Sequence, residues 1–194
     1  MTRIVAGTAG GRRLRVPPAG TRPTSDRVRE ALFNLVFSRM DFDGLRVLDL
    51  YAGSGALGLE ALSRGASHAL LVEADRKAAA VIRGNIDDLA LPGADLRMNS
   101  VAAVVGRPGH VATPPGGPYD LVFSDPPYDV DVAEVQADVR ALAEGAWLTP
   151  GALLVIERST RSPQVSWPAG FTPEKSRKYG ETRLDIAEYT PGTD

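Results

Sequence analysis

The chain has no cysteine and only two histidines, His68 and His110, among its 194 residues. The absence of cysteine excludes disulfide bonds, thiolate nucleophiles and cysteine-ligated zinc, and two histidines leave few ligands for any other metal site. The sequence also lacks a run of ~18 apolar residues that could span a membrane and the long apolar centre of a secretory signal. We therefore expect a cytoplasmic protein without a metal site, whose chemistry depends on carboxylates, backbone groups, hydroxyls or a cofactor.

Charge is distributed unevenly, although the formal net charge of the chain is only -2. Residues 1–40 carry a net charge of +6, whereas residues 41–156 carry a net charge of -8. A basic segment on an acidic body suits a polyanionic partner that contacts one end of the molecule, but a solvated terminus has the same composition. The length predicts one domain over residues 21–194 and a short basic extension over residues 1–20.

The first forty residues predict a hairpin followed by a helix. Two short β segments, residues 3–6 and 13–16, meet near Gly10 and Gly11, which can supply the positive φ of a hairpin turn. Residues 22–26 then resemble a helix entrance, because their side chains can accept hydrogen bonds from free N–H groups. The apolar residues that repeat at helical spacing after it are Val28, Ala31, Leu32, Leu35 and Val36.

From residue 45 onward, apolar segments that favour strands alternate with helical segments. This alternation is typical of a mostly parallel, doubly wound α/β sheet. The last two predicted strands flank residues 180–182 and form an antiparallel hairpin at one edge of a seven-stranded, Rossmann-like sheet. The predicted strands are residues 46–51, 69–74, 95–99, 120–124, 152–157, 174–179 and 183–189, and the predicted helices are residues 57–64, 76–89 and 132–144.

A glycine turn follows the first strand of this sheet. Gly53, Gly55 and Gly58 match the spacing of a nucleotide-cofactor turn, and Glu73 lies 20 residues after Gly53, where an acid can hold ribose hydroxyls. This spacing alone does not separate NAD from S-adenosylmethionine. Asp49 favours the latter, because a carboxylate at the strand end can accept from the ammonium of a methionine moiety and NAD has no such cation. The alternative for Asp49 is an acid satisfied by neighbouring loop amides.

A second turn, Asp125-Pro126-Pro127-Tyr128, follows the fourth strand of the sheet. An aromatic amine is a poor nucleophile, so an enzyme that methylates it must hold the NH₂ group with hydrogen-bond acceptors. The Asp125 carboxylate and the Pro126 carbonyl can accept the two amino hydrogens, the prolines fix the turn, and Tyr128 can stack on a base. The carboxyl ends of parallel strands meet at one edge, so we expect donor and acceptor to meet there.

These two motifs resemble those of class I methyltransferases that act on amino groups. Nearly the whole chain resembles the RsmD family, and residues 3–7, 22–34 and 177–180 carry the more specific part of the likeness. The resemblance implies a class I methyltransferase fold, S-adenosylmethionine as cofactor, and N2 methylation of guanine 966, in customary numbering, of 16S rRNA. It also implies that the substrate is the 30S subunit or its precursor; we expect a monomer.

The resemblance implies roles for individual residues. The methionine end of the cofactor is lined by Asp49, Ala52, Gly53, Ser54 and Gly55. Glu73, with Ala74 beside it, holds the ribose, and the adenine is flanked by Asn99, Ser100 and Val101, where many related enzymes have an aspartate. Asp125, Pro126, Pro127 and Tyr128 hold the guanine and are the candidate catalytic residues. Thr24 and Arg27 close the site, and the candidate RNA contacts are Arg3, Arg12, Arg13, Arg15 and Arg27.

The mechanism expected from these residues is direct in-line methyl transfer, with Asp125 orienting the amine and available as a proton acceptor. Three alternatives remain at the level of sequence: a DNA adenine-N6 methyltransferase, an NAD(P)-dependent oxidoreductase, and a catalytically silent RNA-binding protein. The first usually needs a target-recognition region, and the second leaves the Asp125 turn unexplained. A further basic set either extends the RNA-facing surface or is a solvated edge: Arg158, Arg161, Lys175, Arg177 and Lys178.

Overall fold

A computed structural model of the chain describes residues 2–18, 26–107 and 114–192. Its helices are α1 (Asp26–Phe37), α2 (Ala56–Ser63), α3 (Arg76–Leu89), α4 (Val101–Val105) and α5 (Val132–Glu144). Its strands are β1 (Arg46–Leu50), β2 (His68–Glu73), β3 (Ala94–Met98), β4 (Tyr119–Ser124), β5 (Leu148–Ser159), β6 (Phe171–Pro173), β7 (Arg177–Tyr179) and β8 (Thr182–Tyr189).

The strands form one sheet in the order β3-β2-β1-β4-β5-β8-β6, with β7 also paired to β8. Strands β1 to β5 are mutually parallel, and β8 runs antiparallel to β5, β6 and β7. The predicted mostly parallel sheet with an antiparallel edge is therefore confirmed. Because the chain moves outward from β1 to β3 and then returns to place β4 beside β1, the strand order reverses between β1 and β4. Ligands of open α/β sheets bind at such a reversal.

Both faces of the sheet are buried, because successive strand residues point to opposite sides. In β1, Val47 joins the core beneath α1, α2 and α3, whereas Leu48 joins the core beneath α4 and α5. Trp147 is buried with its ring 6.0 Å from that of Tyr119, and Trp167 packs on Phe171, so both tryptophans are packing residues. Within the described ranges, no helix has the length and apolar character needed to cross a membrane.

The predicted N-terminal hairpin is present as a short antiparallel pairing with a β-bridge between Arg3 and Arg13. The Ile4 N–H group donates to the Arg12 carbonyl and the Leu14 N–H group donates to the Thr2 carbonyl, each at 2.9 Å. The Val5 and Ala6 N–H groups, which follow this pairing, donate to the buried Glu60 carboxylate of α2, at 2.7 and 3.0 Å. Buried side chains from this segment belong to the core under α1, α2 and α3: Ile4, Ala9 and Leu14. The predicted boundary at residues 20–21 lies outside the described residues, and the division into extension and domain stays a prediction.

Other differences from the predicted elements are local. The predicted edge strand 174–179 begins only at Arg177, since residues 174–176 are not in a strand. Residues 171–173, which precede them, form β6, a strand that was not predicted. This interruption gives eight strands instead of seven. Helix α4 was also not predicted, since five residues are too few to show helical periodicity. Helix α1 is confirmed, but its predicted entrance at residues 22–25, like His110, lies outside the described residues.

Candidate active site

The glycine turn and the Asp125 turn lie side by side at the carboxyl edge of the parallel strands. Leu50, the last residue of β1, pairs with Val72 of β2 on one side and with Ser124 of β4 on the other. The Asp125 N–H group then donates to the Leu50 carbonyl oxygen at 3.3 Å. The sheet therefore brings together the two turns that the sequence predicted to meet.

The glycine turn depends on backbone conformations that favour glycine. Gly53 and Gly55 have φ values of 60° and 79°, and Tyr51 before them also has a positive φ of 60°. A Cβ atom on Gly55 would lie 3.0 Å from the Leu71 side chain, so this position has no room for a larger residue. Gly55 also caps α2 without a side-chain hydrogen bond, so among the N–H groups in the first turn of α2 that of Gly58 is held instead by Asp49.

Asp49 is buried on the α2 side of β1, with a relative exposure of 1%. Its Oδ2 accepts a hydrogen bond from the Gly58 N–H group at 2.8 Å. Burial raises the pKa of Asp49 to about 7, against the lowering effect of the Gly58 hydrogen bond and with a smaller increase from Glu73. The amide contact expected for a purely structural acid is therefore present, and a role for Asp49 in holding a cofactor remains a proposal.

Glu73 ends β2 and braces the glycine turn. Its Oε2 accepts from the Gly53 N–H group and its Oε1 accepts from the Asp75 N–H group, each at 2.8 Å. A carboxylate has about four lone-pair sites, so both oxygens can also accept from hydroxyl groups. Ala74, beside it, is exposed.

The predicted adenine-side residues follow β3, whose Met98 pairs with Glu73. Asn99 and Ser100 are exposed, and Val101 is buried at the start of α4. The Ser100 hydroxyl caps α4 by accepting from the Ala103 N–H group at 3.2 Å. The structure therefore gives Ser100 a local role that the sequence reading did not assign.

The residues of the Asp125 turn differ in how much of each is exposed to solvent. Asp125 is half-buried, Pro126 is buried, and Pro127 is exposed. Tyr128 is 61% exposed, which is unusual for a large aromatic side chain and leaves its ring open to a stacking partner. The Val130 N–H group donates to the Pro127 carbonyl at 3.0 Å and closes the segment. The arrangement can hold a planar base between a ring and a set of carbonyl and carboxylate acceptors.

Two buried polar residues that the sequence analysis did not assign to the site support these turns. The Tyr51 hydroxyl donates to Asp138 of α5 at 2.8 Å, and burial raises the pKa of Asp138 to about 6, against the effect of that hydrogen bond. The Arg158 Nη2 atom donates to the Val130 carbonyl at 2.9 Å. An acid among the apolar positions of α5 and an arginine in an apolar strand were the signals that could have found them.

Asn85 of α3 is a third residue that the sequence reading missed. It is buried, with a relative exposure of 1%. Its Oδ1 accepts from the Arg15 N–H group at 2.9 Å, and its Nδ2 donates to the Arg15 carbonyl at 3.0 Å and to the Ser54 carbonyl at 2.9 Å. One side chain therefore connects the basic N-terminal segment to the glycine turn.

The five candidate RNA contacts are exposed: Arg3, Arg12, Arg13, Arg15 and Arg27. Two of them also make contacts at the end of α3. Arg12 donates to the carbonyl oxygens of Asp88 and Leu89, and the Arg15 guanidinium lies 2.7 Å from the Asp88 carboxylate. Thr24, predicted to close the site, lies outside the described residues.

Comparisons with known proteins agree with this geometry. The family model described as conserved hypothetical protein 95 matches residues 2–188. The chain is 37% identical over 180 residues to ribosomal RNA small subunit methyltransferase D of Escherichia coli strain K12, covering 92% of this chain and 85% of that protein. It is 35% identical over 180 residues to the protein of the same name from Haemophilus influenzae, covering 92% and 89%.

Solved structures give the same picture of the fold. The yhhF protein of Escherichia coli superimposes with a TM-score of 0.81 at 32% identity, covering 98% of this chain and 99% of that one. Magnesium protoporphyrin IX methyltransferase from Synechocystis, solved with bound SAM, superimposes with a TM-score of 0.63 at 15% identity, covering 84% and 79%. The second likeness concerns the fold alone, which is that of the class I methyltransferases.

Proposed function

Because the chain belongs to the RsmD family, whose model matches residues 2–188, we propose that it methylates ribosomal RNA with a methyl group from S-adenosylmethionine. The relatives named as ribosomal RNA small subunit methyltransferase D match over more than nine-tenths of this chain, so both turns of the site fall within the likeness. The finer proposal is that the acceptor is the exocyclic N2 amine of a guanine in 16S rRNA, at position 966.

The residues at the carboxyl edge fit the proposed cofactor. Asp49 offers a carboxylate to the ammonium of the methionine moiety, and Glu73 offers one to the ribose hydroxyls. Gly53 leaves open space beside the turn, since a Cβ atom there would meet only the Tyr51 carbonyl oxygen, at 4.0 Å. When bound, the sulfonium supplies an activated methyl group with a neutral leaving group.

The observation that carries the acceptor assignment is the position of the Asp125 turn, which is hydrogen-bonded to the end of β1 beside the glycine turn. Asp125 and the Pro126 carbonyl orient the amino group, and Tyr128 stacks on the base. The amine becomes strongly acidic only as it is methylated, so Asp125 stabilises the developing positive charge and can then accept the proton. No covalent intermediate with the protein is required.

Further parts of the proposal concern the partner. The basic N-terminal segment suits a polyanionic partner that contacts one end of the molecule, and we propose the 30S subunit or its precursor as substrate. We also propose that the protein acts as a monomer in the cytoplasm. The second candidate function is adenine-N6 methylation of DNA, since an Asp-Pro-Pro-Tyr turn also suits an adenine amine.

The test is transfer of a labelled methyl group to 30S subunits, naked 16S rRNA and duplex DNA, followed by nucleoside analysis. The variants are Asp125→Ala and, as a matched control, Asp129→Ala, which removes an exposed carboxylate four residues along the same segment. We expect N2-methylguanosine on ribosomal RNA from the wild type and from Asp129→Ala, and none from Asp125→Ala. N6-methyladenine in DNA would instead support the second candidate and contradict the first.

A further inference from the structure

Parts of three strands, β5, β7 and β8, lie beyond the carboxyl edge at which the other parallel strands end. Ser124, the last residue of β4, pairs with Ile156, but β5 continues through residues 157–159. Those residues pair with residues 182–184 of β8, which in turn pair with Arg177–Tyr179, the whole of β7. At about 3.3 Å per residue, three extra residues project by about 10 Å. We call residues 157–159, 177–179 and 182–184 the wall.

The wall is firmly braced. Arg183 and Asp185 form a buried ion pair, with 2.9 Å between Nη2 and Oδ2. The Arg183 guanidinium also donates to the carbonyl oxygens of Ser162 and Pro163, at 2.7 and 2.8 Å, and so holds the loop that follows β5. A surface held in this way loses little conformational entropy when it binds a partner.

The wall lies directly against the segment that closes the Asp125 turn. Arg158, on the wall, is only 5% exposed and donates through Nη2 to the Val130 carbonyl at 2.9 Å. Val130 in turn donates to Pro127. The wall therefore borders the segment that closes the Asp125 turn.

The exposed charge on and around the wall is almost entirely positive. Among residue 39 and residues 157–161 and 174–184, one acidic residue is exposed, and it is Glu181. Glu157 and Glu174 in the same region are half-buried. A cleft of about 470 Å³ at the base of the wall is lined by Arg39, Glu174, Lys175, Ser176 and Arg177. Arg39 forms an ion pair with Glu174 at 2.6 Å, and Arg161 lies 3.4 Å from Glu181. The exposed cations of the region are Arg39, Arg161, Lys175, Arg177 and Lys178.

Three basic residues also lie directly opposite one another on neighbouring strands of the wall. Arg158 is the cross-strand partner of Arg183, and Arg183 is the cross-strand partner of Lys178. Like charges placed directly opposite one another destabilise a sheet. Moreover, the Arg158 Nε and Nη1 atoms are buried and have no hydrogen-bond partner among the residues that the structure describes. The Arg183 charge is compensated by its buried ion pair with Asp185, so Lys178 is the exposed cation of this row and the one that a bound polyanion can meet.

We propose that the wall binds the phosphate backbone of the RNA next to the methylated nucleotide, with Arg161, Arg177 and Lys178 in contact with phosphates. This inference rests on the proposed function, since it takes RNA as the polyanion. It adds a second basic surface to that of the N-terminal segment. Arg158 belongs to the wall as a buried source of positive potential that also positions the Asp125 turn.

The inference is tested by binding of a 16S rRNA transcript over a range of salt concentrations, measured by filter binding. The variants Arg161→Gln, Arg177→Gln and Lys178→Gln each remove one exposed cation, and the triple variant removes all three. Arg140→Gln, on the exposed side of α5 and far along the helix from the carboxyl edge, is the control that also removes one charge. Glu181→Gln removes the carboxylate 3.4 Å from Arg161 and is expected to strengthen binding.

We expect each single variant to weaken binding several-fold and to reduce the salt dependence by about 0.7 to 0.9 per lost phosphate contact. Affinity for S-adenosylmethionine should stay unchanged, as should RNA binding by Arg140→Gln. A triple variant with the affinity and salt dependence of the wild type overturns the inference, even if the wild type methylates ribosomal RNA. Failure of the wild type to methylate ribosomal RNA overturns the proposed function instead, and the salt series still decides whether the wall binds RNA.

Discussion

The Nδ2 atom of Asn85 donates a hydrogen bond to the Ser54 carbonyl oxygen at 2.9 Å, which ties α3 to the glycine turn. The same amide group holds both the N–H and the C=O groups of Arg15. The basic N-terminal segment and the glycine turn are therefore two ends of one hydrogen-bonded connection. The Asn85 side chain that makes this connection is buried, so water does not readily replace its partners.

Replacement of Asn85 by alanine is expected to lower stability and cofactor affinity together. The change leaves three backbone groups without partners, and a buried group that loses its partner costs about 1 to 3 kcal/mol. Asp88→Asn is the control, because it removes only the exposed ion pair with Arg15, worth about 0 to 1 kcal/mol. Urea unfolding and calorimetric titration with S-adenosylmethionine measure the two quantities. Equal effects from both variants would contradict the role given to Asn85.

Cofactor binding is expected to depend on pH through Asp49. Its pKa of about 7 means that the free site is largely protonated below neutral pH, whereas a ligand ammonium prefers the carboxylate. Affinity should therefore rise between about pH 6 and pH 7.5, below the range in which an α-amino group of pKa about 8 loses its own proton. Asp49→Asn should bind more weakly and without this rise. A wild-type affinity that is flat over the same window would show that Asp49 does not face the ammonium.

The same pKa has an opposite consequence for the stability of the free protein. The folded value lies above the unfolded one, so the folded chain holds the proton more tightly between about pH 4 and pH 7. The contribution of Asp49 to the free energy of unfolding therefore falls as pH rises through that window. Comparison of wild type and Asp49→Asn by urea unfolding at several pH values isolates this contribution, which should disappear in the variant.

The parts of the site that sequence predicted are those in which neighbouring residues carry the signal. The glycine turn and the Asp125 turn each lie within a few residues, and the alternation of strands and helices places both at one edge. Asn85, Asp138 and Arg158 act through partners that lie 28 to 87 residues away in the chain. Spacing along the sequence cannot show such pairs, although a polar residue among apolar ones marks each position.

The missed features of the fold have a similar origin. The sequence predicts the N-terminal hairpin but does not show that the Val5 and Ala6 amides donate to Glu60, which lies more than fifty residues further on. The interruption at residues 174–176 separates the part of the edge strand that extends the main sheet from the part that belongs to the wall. Neither outcome follows from local propensity, because both depend on which partner is available in the folded chain.

Arg158→Met is expected to slow methyl transfer while leaving the protein at least as stable. Methionine fills much of the same volume and removes a buried charge whose Nε and Nη1 atoms have no partner among the described residues, so the cost of burying that charge is removed with it. The loss of the Val130 contact should loosen the Asp125 turn and lower kcat by about 10- to 100-fold, because small errors in position are costly in transfer reactions. Affinity for S-adenosylmethionine should not change.

Arg158→Lys provides the comparison for this prediction, since it keeps the charge but cannot reproduce the planar guanidinium contact. We expect an intermediate kcat. Single-turnover methylation of 30S subunits separates the chemical step from binding, and thermal unfolding checks the fold. A fall in stability that parallels the fall in rate for Arg158→Met would assign Arg158 a structural role only.

The last prediction uses two glycines with similar backbones and different surroundings. Gly53 and Gly151 both have positive φ, 60° and 86°, and neither would bring a Cβ atom into close contact within the chain. Alanine at either position should therefore cost a similar amount of stability, about 1 to 2 kcal/mol, from the left-handed conformation alone. Only Gly53 borders the space proposed for the cofactor. Gly53→Ala should abolish measurable binding of S-adenosylmethionine, whereas Gly151→Ala should bind it as the wild type does. Calorimetric titration beside urea unfolding distinguishes the two effects. If both variants bind the cofactor normally, the space beside Gly53 is not the cofactor site, whatever the family resemblance implies.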